Sequence, residues 1–263
     1  MIFVTGDMHA DPGRFSMENF PEQKEMTRND YMVICGDFGL LWDKEESKRE
    51  KWWLDWLAEK SYTTLVVDGN HEDFTRLNTL PEEEWNGGRG HKVRENVIHL
   101  MRGEIFDLNG KAAYIFGGAR SHDVNGIADK SALEKDYTFA ILQPDDPLLQ
   151  TKLQLLDRYG ASTRIEGVNW WRAEMPTEDE MQRGLQNLRK HGKQVDFIFS
   201  HDGPASDVAI FGGGTLTIDP LNQYLEKVKQ ETAYKKWFFG HHHRNMQLTD
   251  KDTVIYENIE RIC

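Results

Sequence analysis

The sequence predicts a layered α/β fold. Short apolar runs rich in β-branched and aromatic residues recur along the chain, and amphipathic helical patterns lie between several of them. Length is the third indication. The 263 residues contain no linker-like stretch, which suits a single domain over 1–263.

The elements follow in order. Runs at 2–5, 31–35, 63–67, 97–101, 104–108, 112–116, 195–199, 236–239 and 253–258 read as strands. Several are apolar on consecutive positions, as in strands covered on both faces. Residues 45–60 read as a helix with Trp52, Trp53, Trp56 and Leu57 on the side facing the core. Thr177 followed by Glu180 is a capping box, opening a helix that runs to Lys190 with Gly192 near its stop. Asp219-Pro220 opens another helix, with an N-cap carboxylate, proline in the first turn and an apolar stripe of Leu221, Leu225 and Val228. Residues 119–176 break this rhythm. They are weakly patterned and polar, with scattered Gly, Pro and Asp, and read as an irregular lid-like insertion.

Composition narrows the function. Hydrophobic residues are 38% and charged residues 29% of the chain, enough for a packed core under a solvated surface. The net charge of −12 argues against a general nucleic-acid binder. It leaves room for a small phosphorylated substrate, because bound cations reverse the local field. Cys35 and Cys263 imply no disulfide framework, so a reducing, cytoplasmic setting is expected. The first apolar run is too short for a signal-peptide core, and no run reaches the length of a membrane span. Oligomeric state leaves no mark on the sequence.

The chemistry sits at the ends of the strand-like runs. Asp7-Met8-His9, Gly36-Asp37, Gly69-Asn70-His71-Glu72, Ser200-His201-Asp202 and Gly240-His241-His242-His243 each follow or close such a run. In extended backbone, residues i and i+2 point the same way, so Asp7 pairs with His9 and His241 with His243, while Met8 and His242 turn aside. Gly36 allows a tight turn before Asp37, whose two oxygens could bridge two cations. Asn70 offers a hard neutral amide oxygen. Each piece alone is as ordinary as a surface turn, and it is the ordered set that points to a pair of metal ions acting on phosphate esters.

That ordered set resembles the calcineurin-like metallophosphoesterase superfamily, whose pattern runs D-x-H, G-D, G-N-H-[DE], a lone H, then G-H-x-H. The resemblance implies a four-layer α/β/β/α sandwich, two central mixed β-sheets flanked by helices. It implies that Asp7, His9 and His243 bind one divalent ion, that Asn70, His201 and His241 bind a second, and that Asp37 bridges both. Mn²⁺ is expected first, with Fe, Zn or Co compatible. A metal-bridging hydroxide would attack phosphorus while His71 serves the leaving group, making His71 and Asp37 the catalytic pair. Asn70, Arg14, Arg120 and His122 are the candidate substrate contacts, for a phosphorylated small molecule or nucleotide-type substrate.

Two departures stand out. Ala10 occupies a position that the family usually gives to glycine. Leu40 and Leu41 stand where one branch keeps an Asp that orients the histidine and an Arg that clamps phosphate, leaving Asp43 or Glu72 as possible orienters of His71. Trp42, Trp85, Trp170 and Trp171 are candidates to stack on a ring, and 212–214 a candidate loop over the site. A scaffold that kept the fold and lost the chemistry is the alternative.

Overall fold

A computed structural model describes residues 1–121, 139–158, 160, 162–212 and 216–263. Its centre is a pair of mixed sheets stacked face to face. In the first, β1 (Ile2–Thr5), β2 (Tyr31–Cys35) and β3 (Thr63–Val67) run parallel. β4 (Glu82–Trp85), β5 (Gly88–Arg94) and β6 (Val97–Leu100) extend it beyond β3, with β6 next to β3. In the second, β7 (Ile105–Asp107) pairs with β8 (Ala112–Phe116), and β8 lies beside β11 (Phe197–Ser200) and then β12 (Lys236–Phe239). β13 (Met246–Gln247) and β14 (Asp252–Val254) complete that sheet, and β15 (Glu260–Arg261) returns to the edge of β1. β9 (Phe139–Leu142) and β10 (Ser162–Ile165) form a separate parallel pair.

Burial explains the layers. Ile2, Val4, Val33, Leu65, Val67 and Ile98 of the first sheet meet Ala113, Ile115, Phe197, Phe199 and Phe238 of the second. The alternate residues Phe3, Met32, Ile34 and Val66 point outward, under α1 (Lys48–Ala58) and the buried Phe15 and Phe20. Tyr114, Phe116, Ile198, Trp237 and Phe239 do the same on the other side, under α4 (Glu178–Lys190) and α6 (Pro220–Glu231). Two sheets with both faces covered give the expected four layers, and this is why the central strands read as continuous apolar runs.

Thr177 and Asp219 cap α4 and α6 as the sequence predicts, both through capping boxes. The helix over 48–58 is a correction. Its buried side is Glu50, Leu54 and Leu57, while Trp52 is 58% exposed and Trp53 and Trp56 are only half-buried. Large aromatics suggested the inner face, but the phase is set by the leucines, and Lys60 Nζ covers the Trp56 ring at 3.5 Å. Residues 119–176 are also less irregular than their composition suggests. The described part folds as β9, α3 (Leu149–Arg158) and β10, of which α3 buries only Leu156. So shallow a contact leaves little periodicity to read.

The remaining helices are short: α2 (Phe74–Leu77) follows the third motif, and α5 (Ala205–Gly212) follows His201. Parallel pairing aligns the strand ends, with Thr5 beside Ile34, Cys35 beside Val67 and Ser200 beside Phe239. All five motifs therefore leave the sandwich at the carboxyl ends of parallel strands, where open α/β sheets build sites.

Candidate metal centre

Five loops converge at that end, and they turn more sharply than extended backbone would. His9, Ala10, Asp37, His241 and His243 all have φ between 46° and 65°. Non-glycine residues rarely adopt this left-handed conformation, which costs about 1–3 kcal/mol each and tends to collect at functional sites. The extended backbone that the i, i+2 spacing assumed is therefore absent here: left-handed turns carry Asp7 and His9 into one group, which His243 joins and His241 does not. Space is equally constrained. At Gly36 (φ +96°) a Cβ would stand 1.8 Å from His201 Nδ1, and at Gly69 one would stand 2.1 Å from Asp37 Oδ1.

The side chains meet in three overlapping groups. One nitrogen or oxygen each from Asp7, His9 and His243 lie within 4.8 Å of one another, as do those of His9, Asp37 and His71, and those of Asp7, Asp37 and His201. Asp37 Oδ2 lies 3.8 Å from His9 Nε2, and Asp37 Oδ1 lies 3.2 Å from His201 Nε2. The same Oδ1 accepts the amides of Asn70 and His71, both at 2.9 Å. His9 Nε2 and His243 Nε2 face each other at 2.9 Å. The His241 amide donates to Asp7 at 3.0 Å. The His241 ring stands 5.0 Å from that of His201, centroid to centroid.

This donor set fits a cation. His201 Nδ1 lies 2.9 Å from the Cys35 carbonyl, which can only accept, so the neutral ring carries its proton there and presents a lone pair at Nε2. That lone pair faces two further acceptors at 3.2 Å, Asp37 Oδ1 and Asn70 Oδ1. Only a proton or a metal ion reconciles three electron-pair donors at such range. Burial pushes the His201 pKa down, but Asp37 and Asp7 outweigh it and hold a proton there up to about 10. Burial also raises Asp7 to about 7 and lowers His9 to about 4, leaving His9 a neutral imidazole near pH 7. Asp37 lies well below the usual carboxylate range despite complete burial, because His201, His71 and His9 surround it.

The sequence matches the calcineurin-like phosphoesterase family over residues 1–245. The chain belongs to that family. No curated protein matches it. The family's general chemistry is metal-dependent hydrolysis of phosphoesters, and among the described residues no helix is long and apolar enough to cross a membrane.

Leu40 and Leu41 are buried core residues. Glu72 does not reach the His71 ring, because its carboxylate accepts the amides of Phe38 at 2.8 Å and Gly39 at 3.3 Å. Asp43 shares a cavity with His71, yet among the described residues no side chain hydrogen-bonds the His71 imidazole. Packing holds that ring instead, with Trp42 at 5.8 Å and His9 at 5.2 Å between centroids. Trp171 touches Trp42 at 5.1 Å and donates to Thr75 Oγ1, so it supports the site from behind. Trp85 packs on Tyr31 and Phe106 within the sandwich, and Trp170 is buried.

Two cavities open onto the candidate ligand residues and meet at His71. The larger, about 420 Å³, is lined by Asp37, Asn70, His241, His243, Arg164 and Arg244, among others. The smaller, about 240 Å³, includes His9, Leu40, Trp42, Asp43 and Arg49. Arg14 and Arg120 line neither. Arg14 donates to the carbonyls of Asp7 (2.7 Å) and Tyr256 (2.8 Å) and to Thr5 Oγ1, so it braces the first loop from behind. The charge of Arg120 is felt at Asp219, the N-cap of α6. His122, Gly213 and Gly214 lie outside the described residues.

Sequence reasoning missed a buried support beneath Asn70. Asn70 Nδ2 donates to Ser121 Oγ at 3.3 Å, and Ser121 donates through Oγ (2.6 Å) and its amide (2.9 Å) to the Glu174 carboxylate. Next to it, Asp68 accepts from Arg102 Nε at 2.7 Å and lies 3.2 Å from His99 Nε2, and Arg102 also donates to the carbonyls of Ala173 and Glu174. No spacing in the chain signals these contacts. His242 was expected to turn aside, and it does, toward Asp202 at 2.9 Å.

Proposed function

We propose that this chain hydrolyses phosphate mono- or diesters at a pair of divalent ions, Mn²⁺ before Fe, Zn or Co. The observation that carries the reading is the convergence of His201 Nε2, Asp37 Oδ1 and Asn70 Oδ1, three electron-pair donors at 3.2 Å that need a shared cation between them, a proton or a metal ion. Asp7, His9 and His243 would hold one ion and Asn70, His201 and His241 the other, with Asp37 between. Such ions supply positive charge to the phosphoryl oxygens and make water nucleophilic at neutral pH.

The chain's own residues do the rest. Asp37 turns one oxygen toward His201 and the other toward His9, so a single carboxylate serves both halves of the centre. The Cys35 carbonyl fixes the proton of His201 and aims its other nitrogen inward. Ser121 turns the Asn70 amide so that its oxygen, not its nitrogen, faces the centre. His71 lines both cavities and would pass a proton to a departing alkoxide. Residues 1–263 act in this reading as one domain with 119–176 as an insertion, and the insertion's Ser121 and Arg164 lining the larger cavity support that. A non-catalytic scaffold would need none of the seven ligand residues, and all seven are present.

The test is turnover of p-nitrophenyl phosphate and bis(p-nitrophenyl) phosphate with Mn²⁺ replenished. Asp37→Asn is expected to abolish release of nitrophenol while the protein still folds. Full turnover in that variant would overturn the proposal, as would wild-type protein that binds no metal and cleaves neither ester.

A further inference from the structure

The larger cavity has a charge pattern that ester hydrolysis alone does not require. Among the described residues lining it, Asp37 is the only carboxylate, and the ions would claim Asp37. Its other charged side chains are Arg164 and Arg244, with His71, His241, His242 and His243 around them. In a chain with 44 acidic and 32 basic residues, a cavity so lined is a local reversal of sign. The smaller cavity shows no such bias, since Asp43 and Glu50 there outnumber Arg49.

The two arginines come from different parts of the fold. Arg244 follows His243 directly and is exposed, with its guanidinium 5.7 Å from the centre of the Phe211 ring. Phe211 also meets His242, edge to face, at 4.7 Å. Arg164 is half-buried on β10, in the insertion. Guanidinium forks match phosphate oxygens in a bidentate way, and two of them suit a dianion.

We infer that the substrate carries a second phosphate group beyond the one under attack, and that Arg164 and Arg244 bind it. This rests on the phosphoesterase reading, because the metal centre is what places the first phosphoryl group. The insertion then acts as a selector, supplying through β10 half of a subsite whose other half is built into the core.

The experiment compares phenylphosphonate with 1,3-phenylenebis(phosphonate), neither hydrolysable. Each is used to inhibit whichever nitrophenyl ester turns over, with Mn²⁺ in excess of both probes. The bisphosphonate should bind about tenfold tighter or better, the worth of one charge-assisted contact. Arg164→Gln and Arg244→Gln should each remove most of that ratio, and the lysine variants should keep part of it. A ratio near one in the wild type would overturn the inference. So would variants that weaken both probes equally, because the arginines would then grip the phosphoryl group under attack. If neither ester turns over, calorimetric titration of both probes onto Mn²⁺-loaded protein yields the ratio that decides the subsite, and protein that also takes up no Mn²⁺ fails the hydrolase reading instead.

Discussion

Ser121→Ala probes the support beneath Asn70. The substitution removes one oxygen, which stands 2.6 Å from Glu174 Oε2 and 3.3 Å from Asn70 Nδ2. Glu174 is 1% exposed, so water cannot replace the lost donor. Losing a bond to a buried charged acceptor costs about 1.5–3 kcal/mol, and the longer bond to Asn70 less than about 1 kcal/mol. Stability should therefore fall by about 2–4 kcal/mol, measured by urea denaturation. The more telling effect is on metal. With Ser121 Oγ gone, the Asn70 amide is free to turn its nitrogen inward, and loss of such outer support weakens metal binding by about 10–100-fold. Calorimetric titration with Mn²⁺ should show one binding event weakened by that factor and the other nearly unchanged. Glu174→Gln should act in the same direction, because the Ser121 hydroxyl would then have to accept from two amides. A folded Ser121→Ala protein that binds both ions with wild-type affinity would refute the reasoning.

Three further outcomes are expected. Ala10 sits at φ 56°, so Ala10→Gly should stabilise the protein by up to about 1 kcal/mol in urea melts, with no loss of metal. Trp52→Ser should change stability by less than about 0.5 kcal/mol, whereas Leu54→Ala should cost about 2–5 kcal/mol, a contrast that checks the phase of α1. His91 is buried against His99, their Nδ1 atoms 3.1 Å apart, and burial followed by the neighbouring histidine lowers its pKa to about 4. Between the unfolded value near 6.5 and that value, the unfolded chain binds the extra proton, so stability present above pH 6.5 is lost as pH falls toward 4. His91→Gln should flatten that part of the stability–pH curve, and an unchanged slope would count against it.

The sandwich was legible where burial was complete. β1, β2 and β3 are buried at every position and mostly apolar because both faces are covered, and short runs of that kind, bounded by turn residues, fit a buried strand far better than a helix. β4 was not legible. Glu82, Glu83 and Glu84 are exposed, and the strand exists because β5 pairs with it. The residues that converge at the candidate metal centre were readable because each follows a strand in sequence. Their conformation was not, since nothing in Asp7-Met8-His9 announces a left-handed turn. The support under Asn70 was beyond reach for a simpler reason. Ser121 and Glu174 are separated by 53 residues, and they meet only because the end of the insertion returns to its start.

That fold-back limits how the chain can be rebuilt. Residues 119–176 look like a module that could be trimmed or exchanged for another specificity element, but the two roots of the segment differ from its middle. Trp171 belongs to the core under the first sheet, Glu174 is the buried counterpart of Ser121, and Arg102 spends donors on the carbonyls of Ala173 and Glu174. An excision made at the ends of the segment would strand Arg102 and unseat Asn70. A graft must keep Ser121 on one side and 170–174 on the other. The exchangeable portion is therefore the β9–α3–β10 unit between them, and it carries Arg164 with it.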